Sequence, residues 1–224
     1  MSIEMSGDQE RKLNENGLAF FGAITASVSH ELNNVISIID QSAGLLEDLL
    51  SNAGQGNPIS NERLEKISER VGQQTRRGIE IIKRLNTFSH SVDDQKCEFE
   101  LNELVENLTA LICRLATLKK VTLEVVYSDE PIALTGNPFL VQQAMFLSFR
   151  QVLAAAAAGD TVTITAAAGE SAARLVIAGK NSGSGEGLDL SYLAILMNRI
   201  GGRIETQLDD DQVVFELTIR PGGP

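Results

Sequence analysis

The sequence predicts an α+β fold in two parts, an N-terminal helical hairpin that pairs with a second copy as a dimeric four-helix bundle and an α/β sandwich after it. Three observations predict it. Apolar residues recur at steps of three and four along the first part of the chain, a Gly/Asn/Pro segment breaks that pattern once, and beyond Ser91 short β-branched runs alternate with amphipathic stretches. With 224 residues, 43% of them hydrophobic and 22% charged, the chain has room for two small domains with buried cores.

Between positions 18 and 50 there is no proline, and Phe21, Val28, Leu32, Val35, Ile39, Leu46 and Leu49 form a seam in which Thr25 and Ser42 fill the gaps. Such a seam predicts one helix of roughly 50 Å with a face against another helix. Gly54, Gly56, Asn57 and Pro58 end it, and Ser60 or Asn61 caps a second helix from 62 to about 90. That helix repeats the pattern at Leu64, Ile67, Val71, Ile81, Leu85 and Phe88, with Gln74 and Gly78 interrupting its middle. A lone hairpin leaves half of each seam wet, so a homodimer is expected. The expected domains are an N-terminal segment 1–17, the hairpin 18–91 and the sandwich 92–224.

In the second part, strands are expected at 99–101, 121–127, 132–135, 161–167, 174–178, 203–208 and 213–220. Helices are expected at 102–119, from Gly136-Asn137-Pro138 to the alanine run 154–158, and at 188–200 after a glycine-rich loop. Helices alternating with neighbouring strands predict one mixed sheet covered by about three helices.

The formal net charge of −11, the absence of Trp and an aromatic content of 4% exclude a phosphate-backbone binder or a base-stacking surface, so no nucleic-acid partner is expected. No apolar run is long enough for a membrane span, and acids occupy the first ten residues where a secretory leader would be basic and apolar. A cytoplasmic protein without a membrane partner is expected. Cys97 and Cys113 belong to no CxxC and no Cys/His cluster, so both are read as reduced thiols in or near the core, and no metal site is expected. Asp209-Asp210-Asp211 reads as a hairpin turn, since three adjacent acids without further ligands make a poor cation cage. His90 ends the second helix, where a cation favours the helix dipole.

The sharpest feature is Ser29-His30-Glu31-Leu32-Asn33-Asn34 inside the first helix. With Val28, Leu32 and Val35 on the seam, His30 falls on the opposite, solvated face, and Asn34 shares that face one turn on. A displayed imidazole offers a neutral nitrogen near pH 7, and the neighbouring Glu31 carboxylate can orient the ring or take a proton. Spacing alone also allows a plain surface histidine beside a glutamate.

This six-residue run resembles the phosphoacceptor motif of two-component sensor histidine kinases, and a hairpin followed by an α/β sandwich is similar to their dimerisation and phosphotransfer domain plus ATPase-like domain. The resemblance covers about 18–221 and is most specific in the hairpin. It implies that His30 accepts a phosphoryl group, that Glu31 acts as base or orienting group, and that Asn34 can position water to dephosphorylate a partner receiver. Val35 stands where many relatives carry a proline, which implies a straighter helix.

The second domain departs from that pattern. Gln151 stands where the family carries an asparagine for Mg²⁺, with Val152 where a small residue is usual. Ala178-Gly179-Lys180-Asn181-Ser182-Gly183 replaces a box whose aspartate reads the adenine, and no aspartate is available there. Gly183, Gly185 and Gly187 keep the form of the next glycine box, but Glu186 sets a negative charge where phosphates would lie, and only nine residues separate Ala178 from Leu188. A degenerate ATP site that binds no cofactor is therefore expected. Arg76, Arg77 and Arg84 form a cationic face that can meet an acidic receiver.

No sensory or receiver domain flanks the pattern, so a bare transmitter core is expected. The resemblance then implies a histidine phosphotransfer protein without autokinase activity, relaying a phosphoryl group between receiver aspartates, with Mg²⁺ brought by the receiver. The partners it implies are response-regulator receivers and a hybrid histidine kinase, docked around 21–35 and 74–81. Two alternatives use the same residues: a receiver phosphatase or atypical kinase acting through His30 and Asn34, and a non-catalytic dimeric adaptor that sequesters a kinase or regulator.

Overall fold

A computed structural model describes residues 7–54, 58–93, 96–169, 171–182 and 190–220. Two long helices come first, α1 (Gly7–Gly54) and α2 (Asn61–His90). Helix α1 begins well before the apolar seam, because 7–17 holds no proline and its polar residues are good helix formers. It also runs through Val35 without a break, as a helix with no proline there should.

Contacts divide the chain into two compact units, one comprising Thr25–Asn86 and the other Met1–Ile24 together with Thr87–Pro224. Both helices cross that division. In the first unit Val28, Val35 and Ser42 of α1 are buried, as are Ile67, Gly78 and Ile81 of α2. Leu32, Ile39, Leu46 and Leu49 are only half-buried, while Ile36 and Ile79 are each 61% exposed, so a single copy leaves an apolar face uncovered. Gly78 is where the helices come close: a Cβ there would stand 3.3 Å from Val35 Cγ1. The apparent interruption in the α2 pattern is thus a packing contact.

The second unit contains a five-stranded sheet in the order β2-β4-β5-β7-β6, made of β2 (Thr122–Val126), β4 (Thr161–Ala168), β5 (Ala173–Lys180), β6 (Arg203–Leu208) and β7 (Gln212–Ile219). Strands β2 and β4 are parallel and the other pairings antiparallel, while β1 (Cys97–Glu100) and β3 (Ala133–Gly136) form a separate antiparallel pair. Burial alternates strictly along β4, β5 and β7, so one face of the sheet carries Val162, Ile164, Leu175, Ile177, Phe215 and Leu217 into the core. Helices α3 (Leu101–Lys119), α4 (Pro138–Ala155) and α5 (Ser191–Ile200) accompany it, with α4 against β5 and β7 and α5 against β6.

The first turns of α1 and the last of α2 belong to this second core. Phe20 has its ring centroid 5.4 Å from Phe88, 5.3 Å from Phe139 and 4.9 Å from Phe146, and Phe21 stacks on Phe88 at 5.5 Å. Gly17 faces Phe139, and Tyr192 of α5 donates to the Leu13 carbonyl at 3.5 Å. The aromatic residues, few as they are, concentrate where helix ends meet α4. The α1 seam accordingly begins at the buried Phe20 and Ile24, with the expected Phe21 and Thr25 half-buried beside them.

Candidate functional site

His30 and Asn34 are both exposed on α1, one turn apart, as the seam requires. Glu31 is different. Its side chain is only 15% exposed and lies across from α2, where Arg77 Nη2 stands 3.8 Å from Glu31 Oε2. The structure therefore gathers His30, Glu31, Asn34 and Arg77 within one compact unit. The other two arginines are placed otherwise. Arg76 lies exposed beside Gly72, and Arg84 pairs with Glu80 on its own helix at 3.2 Å. On α2, Gln74 Oε1 is buried with no hydrogen-bond partner among the described residues.

In the second unit, Asn137 caps α4 by accepting from Leu140 N at 3.0 Å, and Gln151 lies half-buried on that helix. The next residue, Val152, is fully buried, and its Cγ1 lies 2.5 Å from where a Cβ on Gly179 would stand. At the end of β5, Asn181 Nδ2 donates to the Asp209 carbonyl at 2.7 Å and its backbone N–H to the Asp211 carbonyl at 2.9 Å. Ser182 N–H donates to the Ala155 carbonyl at 3.0 Å, and its hydroxyl to Asp160 Oδ2 at 2.9 Å. The Asp160 carboxylate also accepts from Ala157 N–H at 2.6 Å, and these bonds, helped by Lys180 and Lys119, hold its pKa below the usual carboxylate range. The exit of β5 is thus tied to the end of α4. Gly183, Gly185, Gly187 and Glu186 lie outside the described residues.

Asp209 forms the expected hairpin turn, its Oδ1 accepting from Asp211 N–H at 3.0 Å and Gln212 N–H at 2.7 Å. His90 stands at the exposed end of α2, with Nδ1 3.6 Å from Asp93 Oδ2. Cys97 is half-buried, but Cys113 is exposed, contrary to the core reading. Its neighbour Ile112 takes the buried face of α3, which turns Cys113 outward. Among the described residues no group of His, Cys, Asp or Glu could hold a metal ion. None of the described helices is long and apolar enough to cross a membrane.

Two further positions escaped the sequence reading. Lys119 Nζ donates to the Leu153 and Ala154 carbonyls at 2.6 and 2.7 Å, closing the C-terminus of α4. Glu100 caps α3, with its Oε2 accepting from Glu103 N–H at 2.7 Å and its Oε1 from Ile132 N–H at 2.8 Å. Spacing gives no signal for the first, since the partners are more than thirty residues away. Glutamate is not among the usual cap residues, which hid the second.

No protein-family model and no curated protein sequence matches the chain. Solved structures do. A histidine kinase from Burkholderia phymatum STM815 superimposes with a TM-score of 0.51 at 14% identity, covering 88% of this chain and 98% of that one. The catalytic domain of the histidine kinase ThkA does so with a TM-score of 0.50 at 18% identity, covering 57% of this chain and 98% of that one. A hairpin of long helices followed by a five-stranded mixed sheet with three helices is, accordingly, the fold of a histidine kinase transmitter.

Proposed function

We propose that the chain is a dimeric histidine phosphotransfer protein that relays a phosphoryl group between receiver-domain aspartates through His30, without ATP. The observation that carries this reading is the exposed His30 on α1, with Asn34 one turn on and Glu31 turned toward α2, in a transmitter fold. A neutral imidazole nitrogen attacks the phosphorus of a receiver's aspartyl phosphate. The N–P bond forms as the P–O bond breaks, and its electron pair leaves on the aspartate carboxylate. Reversal on a second receiver returns the group to oxygen. Mg²⁺ comes with the receiver, and most of the rate comes from holding two partners in line.

Independence from ATP is supported by the packing in the sandwich. Val152 fills the space beside Gly179, Asn181 is held by the β6–β7 turn, and Gln151 replaces the family's metal-binding asparagine. Dimerisation is supported by the uncovered apolar residues of the hairpin, among them Ile36, Leu45, Ile79 and Ile82. A second reading, a receiver phosphatase, is favoured by Asn34 alone, whose exposed amide shares the His30 face.

Receiver domains carrying a labelled aspartyl phosphate, mixed with the chain without ATP, test the proposal. Label should appear on the wild-type chain and not on His30→Ala, which remains dimeric because the side chain faces water. Label on His30→Ala, or none on either, overturns it.

A further inference from the structure

Glu31 follows His30 directly in the chain and faces Arg77, with Nη2 and Oε2 3.8 Å apart. The Arg77 side chain is 54% exposed and that of Glu31 15%, so the pair sits at the rim of the hairpin rather than in its core. Gly78, next to Arg77, lets α2 approach Val35, the residue after Asn34. Helix packing thereby delivers the guanidinium to Glu31.

Charge gives this pair a role. The chain carries 30 acidic residues against 19 basic ones, and any phosphoryl group reaching His30 adds about two further negative charges. A bare Glu31 carboxylate beside that group would repel it, and the repulsion grows as the arriving partner excludes water. Paired with Arg77, Glu31 presents no net charge. Resting on the phosphotransfer reading, we propose that Arg77 is a positioning residue that neutralises Glu31 and so admits an anionic phosphoryl group to His30. Glu31 is then not required to accept a proton.

Phosphoramidate, a small inorganic donor, separates this role from receiver docking. His30 nitrogen attacks its phosphorus, the P–N bond breaks and ammonia leaves. In a His90→Gln background His30 is the chain's only histidine, so its phosphorylation can be followed by phosphorus NMR. Arg77→Met should react about tenfold more slowly than the parent, the effect of one uncompensated charge on a doubly charged group several Å away in water. Arg77→Lys, which keeps the charge, should stay near the parent rate. Adding Glu31→Gln to Arg77→Met should restore the rate, and about 0.5 M salt should shrink the deficit. A merely structural role for Arg77 would show neither rescue nor salt dependence. An Arg77→Met rate equal to the parent, or a loss that Glu31→Gln leaves in place, overturns the inference. Failure of the relay itself is read separately, from wild-type chain that takes no label from phosphorylated receivers.

Discussion

Val152 Cγ1 lies 2.5 Å from the point where a Cβ on Gly179 would stand, with Val162 Cγ2 3.3 Å from the same point. The two positions complement each other: an aliphatic group on α4 fills the space that a residue without a side chain leaves on β5. The pair closes the packing between α4 and the end of β5. Gly179→Ala should overpack the core and cost about 1–3 kcal/mol in denaturant unfolding. Val152→Ala in the same chain should recover part of that loss, because the two sites share one space and cannot be additive. Additive costs would mean that the contact does not set the packing.

Phe20 links α1 to Phe88, Phe139 and Phe146 at centroid distances between 4.9 and 5.4 Å, and is 2% exposed. Phe20→Ala should destabilise the sandwich unit by about 3–5 kcal/mol. Thermal unfolding of the full chain reads the loss. A change below 1 kcal/mol would show that the first turns of α1 are not part of that core.

Tyr192 is half-buried, and burial pushes its phenol up to about 12, the hydrogen bond from Gln143 Nε2 at 2.8 Å offsetting only part of the rise. A phenol whose folded pKa exceeds the ordinary 10.0 contributes stability that is complete below pH 10 and is lost as pH climbs toward 12. Absorbance titration of the two tyrosines should show one late ionisation that Tyr192→Phe removes. Ionisation of Tyr192 near its ordinary value would contradict the burial.

Asn34 shares the exposed face with His30, and the proposed nitrogen–phosphorus exchange gives it no role. Asn34→Ala should therefore leave labelling of His30 intact. If the chain also dephosphorylates receivers, the same variant should lose most release of free phosphate from a labelled receiver. Loss of His30 labelling in Asn34→Ala would place Asn34 in the transfer step.

The strands and short helices were largely legible, since β6 spans the expected 203–208 and β4, β5 and β7 fall within a residue or two of expectation. Period-two burial and glycine or proline punctuation are local signals, and the sequence carries them whole. The exposure of His30 and Asn34 was legible for the same reason: it depends only on phase along one helix. What depended on a second element was not. Arg77 reads as a solvated cation until α2 is laid beside Glu31, and Gly78 reads as a flaw until Val35 is opposite it. The α1 seam was displaced because Phe20 and Ile24 pack on a core that lies far along the chain. Lys119, which closes the end of α4 from more than thirty residues away, was hidden for that reason too.

The relay is tested most directly with two receiver domains, one carrying labelled aspartyl phosphate and one unlabelled, mixed with the chain in the absence of ATP. The account predicts that label passes to the second receiver through a phosphohistidine on the wild-type chain, and that His30→Ala stops the passage entirely. Label that reaches the second receiver with His30→Ala as readily as with wild type, or that never leaves the first receiver, would contradict it.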